Sequence, residues 1–157
     1  MPLTKIKEFL DENKVKYVII KHSPAYTSQE IAASAHISGK ELAKAVMVKI
    51  DGQMAMAVLP ASYKISFDHL KEALNTKKIR LAYEQEFIDN FPDCEVGAMP
   101  PFGNLYDMNV YVAESLAEDE EIAFNACTHT ELIKMKYSDF EKLVKPTRIK
   151  FSTLVKI

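Results

Sequence analysis

Two cysteines in 157 residues, Cys94 and Cys127, are too few and too scattered for a disulfide framework, which points to a reducing, cytoplasmic setting. Apolar runs of membrane length are missing too. Residues 1–4 lead straight into a charged amphipathic stretch with no secretory leader, so no membrane association is expected. The four glycines build neither a dinucleotide fingerprint nor a phosphate-cradling Walker loop. No Cys-x-x-Cys occurs, and His22, His36, His69 and His129 lack paired metal-ligand spacing, so neither a metal nor a cofactor is expected. A strong charge of one sign is also absent, since a formal net charge of −2 does not announce a nucleic-acid binder.

What is present describes one ordinary globular domain, 1–157, long enough for a single sizeable core. Its charge is unevenly spread. Residues 132–157 carry Lys134, Lys136, Lys142, Lys145, Arg148, Lys150 and Lys156 against Asp139 and Glu141, while 114–121 is an acidic turn or short helix. A basic tail suits phosphates, and a solvated face is the other reading.

Ile6, Phe9 and Leu10 form one stripe of a helix over 4–13, followed by a β-branched strand at 15–20. His22-Ser23-Pro24 breaks that strand, and Ser28 caps a helix predicted over 29–35. Val46, Met47, Val48 and Ile50 make a strand that turns at Asp51-Gly52 and returns over 53–59. A helix over 66–74 buries Phe67, Leu70 and Leu74, a short strand follows at 79–81, and a short helix over 83–90 turns Phe87 inward. Strands are predicted at 109–113, 122–125 and 131–135, then a final helix over 138–144, capped by Ser138 and stopped near Pro146. Irregular alternation with hairpins reads as α/β or α+β, a mixed sheet carrying helices, without repeats.

Three places carry candidate chemistry. Along a strand, Leu42, Lys44, Val46, Val48 and Ile50 share a face, so Lys44 sets an ammonium at the rim of an aliphatic surface. It reads as a functional amine or as a snorkelling lysine, and the parity fails if 42–45 is helical. In the loop from Gly97 to Gly103, Pro100 and Pro101 stiffen the backbone while the glycines permit positive φ or close approach. Such a loop can present N–H groups to an ester oxyanion, or it is a structural wide turn. Asn125-Ala126-Cys127-Thr128-His129 is polar where a core turn would not need it. Cys127 and His129 suggest a thiol hydrolase, but i and i+2 on a strand stand about 7 Å apart and need not meet. A buried, inert Cys127 is the alternative, and His129 binds a polar ligand, acts as a base or caps its turn.

His22-Ser23-Pro24, the Lys44 strand, Gly97-Ala98-Met99-Pro100-Pro101-Phe102-Gly103-Asn104-Leu105-Tyr106 and Asn125-Ala126-Cys127-Thr128-His129 stand in the order seen in the YbaK/EbsC family. That family comprises free-standing relatives of the editing insertion domain of bacterial prolyl-tRNA synthetase, and the chain resembles it over nearly its whole length. The resemblance implies a curved mixed sheet wrapped by helices and a metal-independent aminoacyl-tRNA deacylase that hydrolyses mischarged tRNA in trans. It makes Lys44 the family lysine required for deacylation and the Gly97 and Pro101 loop the contact for the aminoacyl group. His129 follows the family's Gly-Thr-His pattern, with Cys127 where relatives usually carry glycine. On that reading Lys44 and His129 are catalytic, and His22, Val46, Gly97, Ala98, Met99, Pro100, Pro101, Asn125, Cys127 and Thr128 bind substrate. A small pocket lined by Val46, Met47 or Ala98 would sieve amino acids by size, one methylene being worth ~1–3 kcal/mol. Lys134, Lys136, Lys142 and Lys145 would face the acceptor stem. The implied partners are the acceptor end of a mischarged tRNA and, further out, an aminoacyl-tRNA synthetase. Two rivals stay open: a module that binds tRNA ends without hydrolysis, and a Cys–His hydrolase using Cys127.

Overall fold

The computed structural model describes residues 5–23, 38, 40–95 and 97–154. In chain order the elements are α1 (Lys5–Glu12), β1 (Tyr17–Lys21), β2 (Ala43–Ile50), β3 (Gln53–Pro60), β4 (Tyr63–Ile65), α2 (Phe67–Ala73), β5 (Ile79–Leu81) and α3 (Glu84–Phe87). They continue with β6 (Asn109–Ala113), α4 (Glu114–Ala117), β7 (Glu121–Asn125), β8 (Glu131–Lys136), α5 (Tyr137–Val144), β9 (Thr147–Ile149) and β10 (Ser152–Leu154).

The fold grows from the β2–β3 hairpin. Asp51 and Gly52 both take positive φ, 50° and 83°, the backbone that a tight two-residue turn demands, and pairing then runs from Ile50↔Gln53 to Ala43↔Pro60. Antiparallel β5 joins β2, while parallel β6 and then β9 extend the other side, giving a mixed five-stranded sheet ordered β5-β2-β3-β6-β9. A second, antiparallel sheet is ordered β1-β8-β7, and β4 pairs with β10. A parallel bridge, Leu42↔Ala123, joins the two larger sheets.

Both faces of the hairpin are covered, so residues 55–60 of β3 are buried without alternation. Ala43, Met47, Met56 and Val58 pack with Leu10, Phe102, Phe124 and Phe140. Val48, Ala55, Ala57 and Leu59 pack on the opposite side with Leu70, Ile149 and Phe151, where Val46 and Ile50 also lie. Residues 43–45 are strand, not helix, so the alternation that assigns Lys44 to the face of Val46 and Val48 holds.

Helix α2 starts as expected, His69 N–H donating to Ser66 Oγ at 3.3 Å. Helix α5 does not: Lys136 takes the cap position without a side-chain bond, and Ser138 lies inside the helix. The chain leaves α5 through Lys145 at φ 54°, immediately before Pro146. Strands β4, β9 and β10, three residues each, were not expected, because so short a run has no legible period. Pro24 and the helix expected over 29–35 with its Ser28 cap lie outside the described residues. No helix among the described residues is long and apolar enough to cross a membrane.

Candidate functional site

Two residues beyond the Leu42↔Ala123 bridge, along β2 and β7 respectively, come Lys44 and Asn125. Strand alternation puts Asn125 with Ala123, and His22 with Ile20, on the side where Leu42, Ala61, Ala123, Leu132 and Ile20 pack. Lys44 is half-buried, and its Nζ donates to Ala61 O at 3.4 Å. Among the described residues no carboxylate pairs with it, and burial alone pushes its pKa below the usual lysine value. A cation compensated by one long carbonyl contact is not a solubilising surface lysine.

The strand ends next to Asn125 and His22 are closed by two loops held together backbone to backbone. Cys127 N–H donates to Ala98 O at 2.9 Å, and Glu95 N–H donates to Cys127 O at 2.9 Å. Glu95 Oε2 accepts from His129 N–H at 3.0 Å and lies 3.8 Å from His129 Nε2. Gly97 takes φ 86°, and a Cβ built there would stand 3.5 Å from His129 Cε1, so the imidazole lies directly against the glycine. His22 N–H donates to Thr130 O at 2.9 Å, and Thr128 Oγ1 accepts from Thr130 N–H at 3.4 Å. His22, Gly97, Ala98, Asn125, Cys127, Thr128 and His129 therefore gather at one end of the β1-β8-β7 sheet.

The two glycines of the loop serve different needs. Gly97 supplies the positive φ; at Gly103 a Cβ would come within 2.7 Å of Val110 Cγ2 and 3.0 Å of Met108 O, so the chain packs there onto β6 only as glycine.

The loop offers fewer donors than expected. Ala98 N–H is taken by Glu95 O at 3.0 Å, Gly97 N–H points at Met99 Sδ at 3.3 Å, and Pro100 and Pro101 have no N–H. Among the described residues Met99 N–H has no acceptor, and Gly97 N–H is held only by a weak one. At this site His22 Nε2, whose Nδ1 lies 2.8 Å from Ser23 O, and Asn125 Oδ1 are buried without a hydrogen-bond partner among the described residues.

Of the residues named for a size-selecting pocket, Val46 and Met47 leave opposite faces of β2. Val46 packs with Val48 and Leu59, whereas Met47 belongs with Met99, Ala126 and Cys127. The two cysteines, too few and too scattered in sequence to read as a disulfide framework, nevertheless pair with each other. Cys94 and Cys127, 33 apart in sequence, are joined by a disulfide with their Cα atoms 4.2 Å apart. Distance along the chain was a poor guide, since the backbone bonds between the two loops bring these residues side by side. With Cys127 bonded and 1% exposed, the sulfur is no nucleophile for a Cys–His hydrolase in this state. A cavity of about 560 Å³ lined by Lys5, Gln53, Tyr106 and Asp107 among others shares no residue with this group.

Sequence reasoning missed Glu95. A carboxylate two residues ahead of Gly97 was the only available signal, and its partner His129 is 34 residues away. Glu95→Ala is expected to lower stability by about 1 kcal/mol in urea titrations, and Glu95→Gln, which keeps an acceptor oxygen, to recover most of it. No change in Glu95→Ala would mean that the carboxylate does not hold the turn.

Comparison with known proteins bears on this arrangement directly. The sequence pattern of the aminoacyl-tRNA editing domain matches residues 22–143. The chain is 25% identical over 142 residues to the prolyl-tRNA editing protein ProX of Acetoanaerobium sticklandii, covering 87% of this chain and 86% of the relative. It is 29% identical over 115 residues to the multifunctional Ser/Thr-tRNA deacylase ProXp-y of Escherichia coli, covering 69% and 68%. A crystal structure of a hypothetical protein superposes with a TM-score of 0.84 at 18% identity, covering 96% of this chain and all of that one (100%). Another, of a candidate trans-editing enzyme for prolyl-tRNA synthetase, gives 0.79 at 15% identity over 97% and 99%. At these identities the superpositions establish the fold, a mixed α/β editing-domain architecture. Because the domain pattern matches residues 22–143, a span that includes Lys44, the 97–101 loop and the 127–129 turn, the chain belongs to the aminoacyl-tRNA editing domain family.

Proposed function

We propose that this protein is a trans-editing aminoacyl-tRNA deacylase that hydrolyses the ester of a mischarged tRNA carrying a small amino acid. The observation that carries the reading is the editing-domain match across both site loops, in a chain whose relatives are named as a prolyl-tRNA editing protein and a Ser/Thr-tRNA deacylase.

The chemistry asks little of the protein. Water attacks the ester carbonyl, charge gathers on the carbonyl oxygen, and the bond to the ribose oxygen breaks, that oxygen leaving with a proton. Positioning a water and stabilising the oxyanion are enough. Lys44 serves electrostatically, holding the terminal phosphate or ribose and polarising the ester. Met99 N–H and the weakly held Gly97 N–H are the donors for the oxyanion. Asn125 Oδ1, a buried acceptor with no donor among the described residues, suits the α-ammonium of the aminoacyl group. His129, braced by Glu95, borders the reacting ester, and a terminal hydroxyl of the tRNA helps to activate the water. The Ala98 loop and the Cys127 turn, tied backbone to backbone at 2.9 Å, close the amino-acid side and favour small residues.

A groove of about 390 Å³ lined by Lys14, Lys16, Lys136 and Lys142, with Asp139 among them, keeps a cationic excess that suits the phosphates of the acceptor stem. Lys134 instead stands 3.9 Å from Glu121. The substrate is made by an aminoacyl-tRNA synthetase, the partner from which this protein receives it.

A panel of tRNAs charged with alanine, serine, cysteine or threonine on proline, lysine and other acceptors tests the reading. At least one mischarged ester is expected to decay about 100-fold faster with the protein than without it, correctly charged prolyl-tRNA staying intact. Tight tRNA binding with every ester decaying at its spontaneous rate would replace the deacylase by a tRNA-end-binding module.

A further inference from the structure

The two site loops meet at a covalent bond that ester hydrolysis does not use. Cys94 immediately precedes Glu95, whose backbone holds Cys127 and whose carboxylate holds His129. Cys127 sits between Asn125 and His129 and takes φ 70°, a left-handed backbone that suits glycine and is unfavourable for any residue with a Cβ. We propose that Cys94 and Cys127 form a reversible dithiol–disulfide pair that locks the 97–101 loop onto the 127–129 turn and thereby raises the rate of deacylation. This rests on the deacylase reading above.

The disulfide, with the two backbone bonds at 2.9 Å, keeps Cys127 in a conformation its own side chain disfavours. Once the sulfurs separate, nothing covalent opposes relaxation of Cys127 toward negative φ, and that rotation carries Thr128 and His129 away from Gly97. Hydrolysis depends on a positioned water, so a small displacement is read out as rate. An enzyme of aminoacyl-tRNA works among thiol reductants, where a disulfide is transient rather than permanent.

The two sulfurs differ in access. Cys94 is half-buried and Cys127 is 1% exposed, so an oxidant reaches Cys94 first. With hydrogen peroxide, the Cys94 sulfur takes one oxygen to become a sulfenic acid and one water leaves. The Cys127 thiol then attacks that sulfur, the S–O bond breaks, its proton goes to the departing oxygen, and a second water leaves. A dithiol reverses the bond by exchange, supplying two hydrogens and becoming a disulfide itself.

The full-length protein is reduced with a phosphine, treated with hydrogen peroxide, and followed by intact mass, hydrogen exchange and deacylation. The expected result is loss of two hydrogens without dimerisation, slower exchange over 97–101 and 127–130, and deacylation about tenfold faster, all reversed by dithiothreitol. Cys94→Ser should match the reduced protein and ignore peroxide. Cys127→Gly, whose backbone accepts positive φ unaided, should also ignore peroxide yet keep the slow exchange over 97–101 that Cys94→Ser loses. Equal rates and equal exchange in the two forms would overturn the proposal. So would a reduced protein that holds a zinc ion through Asp93, Cys94 and Cys127 and resists oxidation. Absence of hydrolysis in both forms would count against the deacylase reading, leaving the exchange difference to decide the lock.

Discussion

Replacing Lys44 by alanine is expected to reduce deacylation by about 100- to 1,000-fold while the protein stays folded, the scale seen when a preorganised electrostatic group is removed from an active site. The reason lies in what surrounds the amine. Among the described residues the half-buried ammonium has one carbonyl contact at 3.4 Å and no carboxylate partner, so it gains little in the resting fold, and on the proposed reading its field acts on the substrate. For the same reason Lys44→Met, which keeps the stem and drops the charge, should unfold at a slightly higher temperature, by about 0.5–1 kcal/mol, while losing activity. An inactive variant that is also strongly destabilised would assign Lys44 to the scaffold instead.

The pH profile separates two roles for this amine. Its pKa is lowered in the folded protein, so between the folded and unfolded values the unfolded chain binds more protons and stability rises with pH. An electrostatic Lys44 loses its charge over that window, so its contribution to the rate should fall as stability grows. A general base would gain over the same window. After correction for spontaneous ester hydrolysis, a rate that climbs with pH in the wild type and is flat in Lys44→Met would make the amine a base.

The largest loss of stability is expected at Phe102→Ala, about 3–5 kcal/mol in urea denaturation. Phe102 is fully buried, 0% exposed, immediately after Pro100 and Pro101. Its ring centroid lies 5.4 Å from Phe124 on β7, 5.4 Å from Phe140 on α5 and 6.1 Å from Phe9 on α1. Three elements distant in sequence therefore converge on the residue that anchors the proline loop. Against a typical total of 5–15 kcal/mol, the substitution leaves a marginal fold. Phe102→Leu retains most of the apolar volume and should lose much less. A loss below about 1 kcal/mol in Phe102→Ala would mean that the loop is held elsewhere.

Local chemistry made the hairpin legible. Asp51-Gly52 fixes the turn, the turn fixes the register, and the register fixes the face of Lys44. The two glycines of the proline loop were likewise readable, one needed for positive φ and the other for close packing. What stayed hidden depends on contacts between loops. Cys94 meets Cys127 and Glu95 meets His129 only because the 95–98 and 127–129 backbones bond to one another, and no spacing in the chain announces that. Ser138 misled for a different reason: propensity favours serine at a cap, but the burial of Tyr137 set the start of α5 one residue earlier.

The rung between Leu42 and Ala123 gives the arrangement an evolutionary consequence. Lys44 and Asn125 stand just past a seam between two ladders that are each complete without the other. Substitutions along such a seam can shift one layer against its neighbour without breaking a strand pairing within either sheet. If Lys44 and Asn125 face the substrate as proposed, small slips at this joint would move them relative to each other while each sheet keeps its own pairing.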